Sequence, residues 1–274
     1  MPNNKKKNKQ SKKKSRKNEA LETIRRIETS LISANALENP TKGLEAFCSM
    51  ELQPSKKRQQ QQQQRDNSGA DDDNDEEEAK AVQMDFYKSP LPEDLHASCL
   101  QLFKENMGDM YRASSWGLDM EEKSNEFHHE NARFLVATTK TTTAATSGQT
   151  SGDHQRERGA LLGFAHFRFD VNDDELPTEE VLYVYEIQIS SKARGCGLGR
   201  RLMAIMEMIA MRSKMRKVML TVFKSNQAAL GFYLNKMKYD IDESSPSKFT
   251  EDEVGGNHEQ ADYEILSKKV SLAK

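Results

Sequence analysis

The chain has 274 residues, 35% of them hydrophobic and 31% charged, with a formal net charge of −2. That length allows one domain or two small ones, and the apolar content is too low for every segment to join a packed core. Three widely spaced cysteines, Cys48, Cys99 and Cys196, argue against a disulfide framework or a zinc site and for a reducing compartment. No run reads as a signal peptide or membrane span, and Pro2 replaces the glycine that myristoylation needs.

The near-neutral total hides blocks of opposite sign. Residues 5–17, "KKKNKQSKKKSRK", hold no acid, and residues 71–78, "DDDNDEEE", hold no base. The basic run is expected to be a disordered tail, and reads either as a nuclear-localisation or nucleic-acid-contacting patch or as simply solvated. No aromatics are interleaved with its lysines, which argues against specific nucleic-acid recognition. Next, "NEALETIRRIETSLISANAL" has helical spacing, with Leu21, Ile24, Ile27 and Leu31 on one face. A short apolar patch surrounds Leu44, Phe47 and Met50. "QQQQQQ" and the acidic run then mark a flexible insert.

From residue 91, "LPEDLHASCLQLFKENMGDMYRAS" predicts a proline-led helix, and "WGLDMEEKSNEFHHE" a second, more polar one. "ARFLVAT" predicts a strand. A Thr/Ser/Gly-rich insert separates it from a second strand, "GALLGFAHFRFDV". "VLYVYEIQIS" is a strongly β-prone third strand. A glycine-rich loop and a helix to about Arg212 follow. "KVMLTVF" is a buried strand, "NQAALGFYLNKMKY" a helix capped by Asn226, and "DYEILSKKV" a last strand. The fold class is therefore α/β, a mixed central sheet with flanking helices, whose β–loop–α–β section pairs two parallel strands. The expected organisation is a disordered basic tail over 1–20, an N-terminal helical segment over 21–54 and a low-complexity Gln-rich and acidic insert over 55–81. One core follows over 82–272, with a flexible insert at 138–159.

The stretch "SKARGCGLGRR" carries the functional signal. Closely spaced glycines before a helix let backbone N–H groups and the helix dipole meet an anion. It is not a Walker A loop, because no Lys-Ser/Thr follows. It is not a dinucleotide fingerprint, because the third glycine comes one residue early and the later strand ends without an acid. Arg-x-x-Gly-x-Gly after a strand, at Arg194, Gly197 and Gly199, resembles the acetyl-CoA loop of the GCN5-related N-acetyltransferase superfamily. That resemblance implies the superfamily's fold for residues 82–272 and acetyl-CoA as cosubstrate, with no metal. It implies cofactor contacts from Arg194, Gly195, Cys196, Gly197, Leu198, Gly199 and Asn226, and from the backbone of Ile187, Gln188 and Ile189. Cys196 reads as a small loop filler, since no histidine is placed in sequence to activate it.

Within that superfamily, "MYRASSWG", "FRFDV", "VLYVYEIQI", "KVMLTVFK", "IDESSPS" and "YEIL" resemble the N-alpha-acetyltransferase D family, which acetylates histone amino termini. The resemblance covers most of residues 82–270 and neither insert. It implies transfer of acetyl to the N-terminal serine amine of histones two-A and four, whose chains begin Ser-Gly-Arg-Gly. Transfer would be direct, without a covalent enzyme intermediate. A free α-amine has a pKa near ~8 against ~10.4 for lysine, so one carboxylate suffices as base.

Glu186 is the candidate base, because a carboxylate in "YVYEIQI" is costly unless it works or is paired. Strand alternation places it on the face opposite Tyr185. The resemblance implies catalytic positions for Glu186 and Tyr185, and substrate contacts from Tyr111, Trp116, Asp170, Tyr183, Glu186, Thr221, Ser244 and Tyr263. The family's second acid after Asp170 is Asn172 here, with Asp173 and Asp174 beside it. Tyr233 stands where many superfamily members keep a tyrosine that protonates the departing thiolate. Partners are expected to be histone tails, without membrane or specific nucleic acid, for a monomer in nucleus and cytoplasm. The competing expectations are a lysine or small-amine acetyltransferase of the same fold, and a non-catalytic nuclear adaptor.

Overall fold

The computed structural model describes residues 3–52, 81–140, 158–173, 177–249 and 261–270. Most of the insert expected at 55–81, residues 141–157 of the insert at 138–159, and Asp174 lie outside them. The elements are α1 (Asn3–Asn35), β1 (Ser49–Glu51), β2 (Ala81–Lys88), α2 (Glu93–Ala113), α3 (Met120–His128), β3 (Arg133–Thr139) and β4 (Leu161–Val171). They continue with β5 (Glu180–Ile189), α4 (Leu198–Arg212), β6 (Lys217–Phe223), α5 (Gln227–Gly231), β7 (Asp240–Ile241) and β8 (Tyr263–Lys269).

The eight strands among the described residues form one sheet in the order β1-β2-β3-β4-β5-β6-β8-β7. Every neighbouring pair is antiparallel except β5 and β6, which enclose the glycine loop and α4 as expected. Five of these strands were legible in the sequence. β1 and β7 are too short to carry a pattern, and β2, "AVQMDFYK", mixes polar residues into both faces.

Each face of the sheet has its own core. On one, α4 packs Leu202, Ile205, Met206 and Ile209 over Leu182, Val184, Leu220 and Leu135. On the other, α2 and α3 cover Phe134, Val136 and Phe164 with Leu95, Cys99, Leu102 and Phe127. The i, i+4, i+7 spacing of Leu95, Cys99 and Leu102 is what orients α2. Pro92 precedes its first turn, and Glu93 and Asp94 stand at its positive end. Asp119 caps α3 by accepting from the Glu121 and Glu122 backbone N–H groups at 2.8 and 3.0 Å.

Several expected boundaries change. The tail expected to be disordered over 1–20 is helical from Asn3. No glycine or proline interrupts residues 3–35, and lysine and glutamine are good helix formers. The helical segment expected over 21–54 is not separate. Ile27, Ala34, Leu44 and Cys48 are buried, three of them in the α4-side core, and β1 extends the sheet. The buried face of α1 runs through Ile27, Leu31 and Ala34, whereas Leu21 and Ile24 are exposed. Arg26 fixes this rotation. Its Nη1 lies 2.6 Å from both carboxylate oxygens of buried Glu180, at the start of β5. Arg133 Nη2 donates to the Asn35 carbonyl at 2.9 Å and pins the helix's other end. The insert expected from residue 138 starts later, because Thr138 and Thr139 still pair with β2. Finally, the helix capped by Asn226 is short: α5 gives way to a π-helical turn over Phe232–Met237.

Candidate active site

β5 and β6 diverge. They pair in parallel only from Val181–Lys217 to Val184–Leu220. Beyond that, β5 keeps β4 on one side and β6 keeps β8 on the other. The gap is a cleft of about 610 Å³, counting its open mouth. Its walls are Val184–Gln188 and Leu220–Phe223, with Met107, Tyr111 and Trp116 from the α2 side and Asn226, Ala229 and Tyr233 from the α5 side. This is the incompletely paired strand on which an extended ligand can dock.

A bulge aims the strand. His166 pairs with Glu186, but Phe167 pairs with Val184, so Tyr185 is the extra residue. Such a bulge breaks the strict alternation of a strand. Tyr185 stacks on His166 with ring centroids 5.2 Å apart, and Glu186 meets Lys123 of α3, so both lie on the α2/α3 side. The expected placement of Glu186 opposite Tyr185 is thereby corrected: pure alternation holds only for an unbulged strand.

Glu186 is 6% exposed and fully engaged. Lys123 Nζ donates to its Oε1 at 2.9 Å, and Gln188 Nε2 donates to its Oε2 at 2.7 Å. Burial pushes the Glu186 carboxyl above its usual range, opposed by the Lys123 ammonium. Burial alone would lower Lys123, but Glu186 and Glu126 hold it protonated beyond the usual lysine range. Glu126 Oε2 is 3.0 Å from the same nitrogen. Burial drives the Tyr111, Tyr185 and Tyr233 hydroxyls up, so all three stay protonated at neutral pH. His166 is buried, with Nδ1 3.4 Å from Glu126 Oε1 and Nε2 without a hydrogen-bond partner, and burial lowers its pKa to about 4 against the pull of Glu126.

The glycine loop lies at the carboxyl end of β5. Gly195 and Gly197 have φ of +78° and +88°, a region open to glycine at no steric cost. Gly197 is the N-cap of α4, and the first helical bond runs from the Arg201 N–H to its carbonyl at 3.1 Å. The N–H groups before Arg201 are left to point out of the helix end, where the dipole favours an anion. Gly199 keeps the helix close to its neighbours: a Cβ there would sit 3.6 Å from the Phe232 ring and 4.0 Å from Ile189. Arg194 Nε donates to the Ile189 carbonyl at 3.2 Å, and its guanidinium also meets the Asn106 side chain. Cys196 is buried, with Sγ 3.6 Å from the Arg194 carbonyl, in keeping with a filler. Asn226 spends its side-chain oxygen on the Ala229 N–H at 3.1 Å while lining the cleft.

Of the sequence-selected residues, Tyr111, Trp116, Tyr185, Glu186, Ile187, Gln188, Thr221, Asn226 and Tyr233 line the cleft itself. Tyr183, Asp170 and Tyr263 support that wall from behind. Tyr183 Oη is 2.5 Å from Thr221 Oγ1, the Tyr185 hydroxyl donates to Asp170 Oδ2 at 3.1 Å, and Tyr263 packs on Trp116 at 5.2 Å. Ser244 is drawn away, since its hydroxyl donates to Asp242 Oδ1 at 2.7 Å. Asn172 is a loop clamp that accepts from the Thr178 and Glu179 N–H groups at 3.0 and 2.8 Å.

Sequence reasoning missed Lys123, Glu126, His166 and Phe223. Lys123 had a signal: it stands four residues before buried Phe127, on the inward face of α3. Phe223 completes an aromatic wall, 5.1 Å from Tyr111 and 5.0 Å from Trp116.

A sheet opened at its middle, a glycine-led helix end beside the opening and a carboxylate in the wall suit group transfer from a phosphate-bearing carrier. Residues 107–239, just under half of the chain, match the model of the acetyltransferase (GNAT) family, whose cosubstrate is acetyl-CoA. Similar solved structures include an acetyltransferase from Streptococcus agalactiae, 16% identical with a TM-score of 0.45, covering 68% of this chain and 98% of its own. A GCN5-related N-acetyltransferase from Kribbella flavida is 17% identical at 0.45, covering 68% and 97%. Arabidopsis thaliana NAA60 in complex with a bisubstrate analogue is 14% identical at 0.43, covering 68% and 98%. Among the described residues no cluster of three or more His, Cys, Asp or Glu could hold a metal ion.

Proposed function

We propose that the chain is an N-alpha-acetyltransferase of the D type. It transfers acetyl from acetyl-CoA to the N-terminal serine amine of histones two-A and four. The observation that carries this reading is Glu186, a buried carboxylate on the wall of a cleft whose strand edge is unpaired. Acetyl-CoA brings the thioester and its own leaving group. The chain's part is to hold the carrier on the edge of Ile187–Ile189 and the N-terminus of α4, exclude water with aromatic rings, and take a proton from the amine at Glu186.

The amine chemistry supports an α-amine over a lysine. The pKa gap between the two, about 2.4 units, is worth roughly 3.3 kcal/mol of deprotonation. The walls at Tyr111, Trp116 and Phe223 suit a narrow peptide end with no bulk at its second residue. Asp170, beside Tyr185, offers a carboxylate to the arginine at the third position. In this reading the protein works as a monomer on histone tails, in nucleus and cytoplasm.

The test is mass spectrometry of a Ser-Gly-Arg-Gly peptide incubated with acetyl-CoA and the full chain, beside the same peptide with a blocked amino terminus and an internal lysine. The free peptide gains one acetyl group and the blocked one is a poor substrate. Efficient acetylation of the blocked peptide would turn the assignment to lysine. Replacing the peptide arginine by alanine lowers kcat/KM about ten- to a hundred-fold, the worth of one charge-assisted hydrogen bond.

A further inference from the structure

Lys123 has no part in the site as drawn from the sequence, yet it is the charge nearest the candidate base. It rises from the inward face of α3, 7% exposed. Its nitrogen lies 2.9 Å from Glu186 Oε1, 3.0 and 3.2 Å from the two oxygens of Glu126, and 3.5 Å from the Tyr111 hydroxyl. The Phe103 and Tyr111 ring centroids lie 4.9 and 5.4 Å away. All three N–H bonds of the ammonium thus have acceptors within reach. The other Glu186 oxygen is held by Gln188, whose own carbonyl oxygen accepts from Asn106 Nδ2 at 2.9 Å. The carboxylate is gripped from two sides.

We propose that Lys123 is a positioning residue for the amine-accepting step: pinned between Glu186 and Glu126, it keeps the Glu186 carboxylate ionised and fixed on the cleft wall. This rests on the assignment of Glu186 as base. Packing alone does not call for a lysine there. A buried ion pair is often no more stabilising than apolar residues of similar volume, and a methionine would fill the space without desolvating an ammonium. What the lysine adds is charge. Around Glu186, the neighbours are Lys123 and Glu126 of α3, Tyr111 of α2, His166 of β4 and Tyr233 of the π-helical turn. Among the described residues Lys123 is the one cation in direct contact, and with the Gln188 hydrogen bond it offsets burial and the second carboxylate. The two α3 charges therefore act on Glu186 with opposite signs: the lysine favours its ionised form, and Glu126 opposes it.

That opposition is the test. The pH profile of kcat/KM on the Ser-Gly-Arg-Gly peptide is measured for the full-length chain and for Lys123→Met, Lys123→Arg, Glu126→Gln and Glu186→Gln. The limb set by the peptide amine, near pH ~8, is common to all. Lys123→Met moves the acidic limb up by about 1 to 3 units, the effect of a lost opposite charge at this range, and its rate recovers toward the alkaline end. Lys123→Arg returns the limb to its wild-type place, and Glu126→Gln moves it down. Acetyl-CoA affinity, read by calorimetry, stays level. A purely structural lysine would lower the rate at every pH and leave the limb where it was, which would overturn the proposal. If Lys123→Met does not fold, Glu126→Gln decides, and an unshifted limb there rejects it. If Glu186→Gln removes the limb while Lys123→Met leaves it unmoved, the positioning role alone is lost. A wild-type limb in Glu186→Gln removes the base assignment and this role together.

Discussion

At the scale of single residues, two side chains carry sharp expectations. Glu186→Gln keeps the shape of the side chain and both of its neighbours in place, but removes the proposed base and its charge. The expected loss in kcat is on the order of 10² or more, the size of general-base contributions. Acetyl-CoA is expected to titrate as before, because the carrier is proposed to rest on the backbone of Ile187–Ile189 and the glycine loop and not on this side chain. Near-normal turnover across neutral and alkaline pH would make Glu186 structural. Gly197→Val attacks the other end of the cleft. At φ +88° a β-branched side chain is strained, and the first turn of α4 must shift to relieve it. Acetyl-CoA affinity is expected to fall at least tenfold, an amount that about 1.4 kcal/mol of strain or lost anion contact already produces. Calorimetry showing unchanged affinity would reject the loop as the anion site.

At the scale of elements, α1 is the test of the revised boundaries. Deleting residues 1–17 leaves the buried face of Ile27 and Ala34 intact, so peptide turnover and melting temperature are expected to hold. Ile27→Ala opens the core under α1 and is expected to cost about 2 to 4 kcal/mol, read from denaturant unfolding. No change on that substitution would return the helix to the status of a solvated appendage. The sequence could not have shown this. Leu21, Ile24, Ile27 and Leu31 share a face by spacing, but which part of that stripe meets the sheet depends on Arg26 reaching Glu180, a partner 154 positions away. The same limit explains Glu186. Its oddity was legible, as an acid in an apolar strand, but its direction was not. A bulge in β5 is a mismatch with β4, and a mismatch exists only between two strands. The glycine loop, by contrast, was readable because its geometry is local: three glycines, an arginine and a helix start lie within six residues.

At the scale of the whole molecule, buried charge sets the response to pH. His166 lies between Phe134 and Tyr185, its ring centroid 4.8 and 5.2 Å from theirs, with Nδ1 3.4 Å from Glu126 Oε1 and Nε2 unbonded. Burial lowers its pKa from 6.5 to about 4. The sign follows directly. Below about pH 6.5 the unfolded chain binds a proton that the folded chain refuses until about pH 4, so stability drains as pH falls through that window, by up to about 1.4 kcal/mol per unit. His166→Phe keeps the stacked ring and removes the titration. Chemical unfolding at a series of pH values between these limits should show a shallower slope for the variant, and an identical slope would mean that other groups dominate the acid response.

The order of the strands has a further consequence, for the way the chain is made. Six of the eight follow one another across the sheet in the order in which a ribosome would deliver them, and only β7 and β8 exchange places. Each new strand from β2 to β6 therefore meets a neighbour that already exists, and the edge left waiting is always the latest one. Domains made in this way can gather structure during synthesis. The last strand to enter, β8, closes the exposed side of β6 and brings Tyr263 against Trp116. The aromatic side of the cleft is thus finished only once Tyr263 has been translated, so a nascent chain cut short before it would hold Glu186 without its full wall.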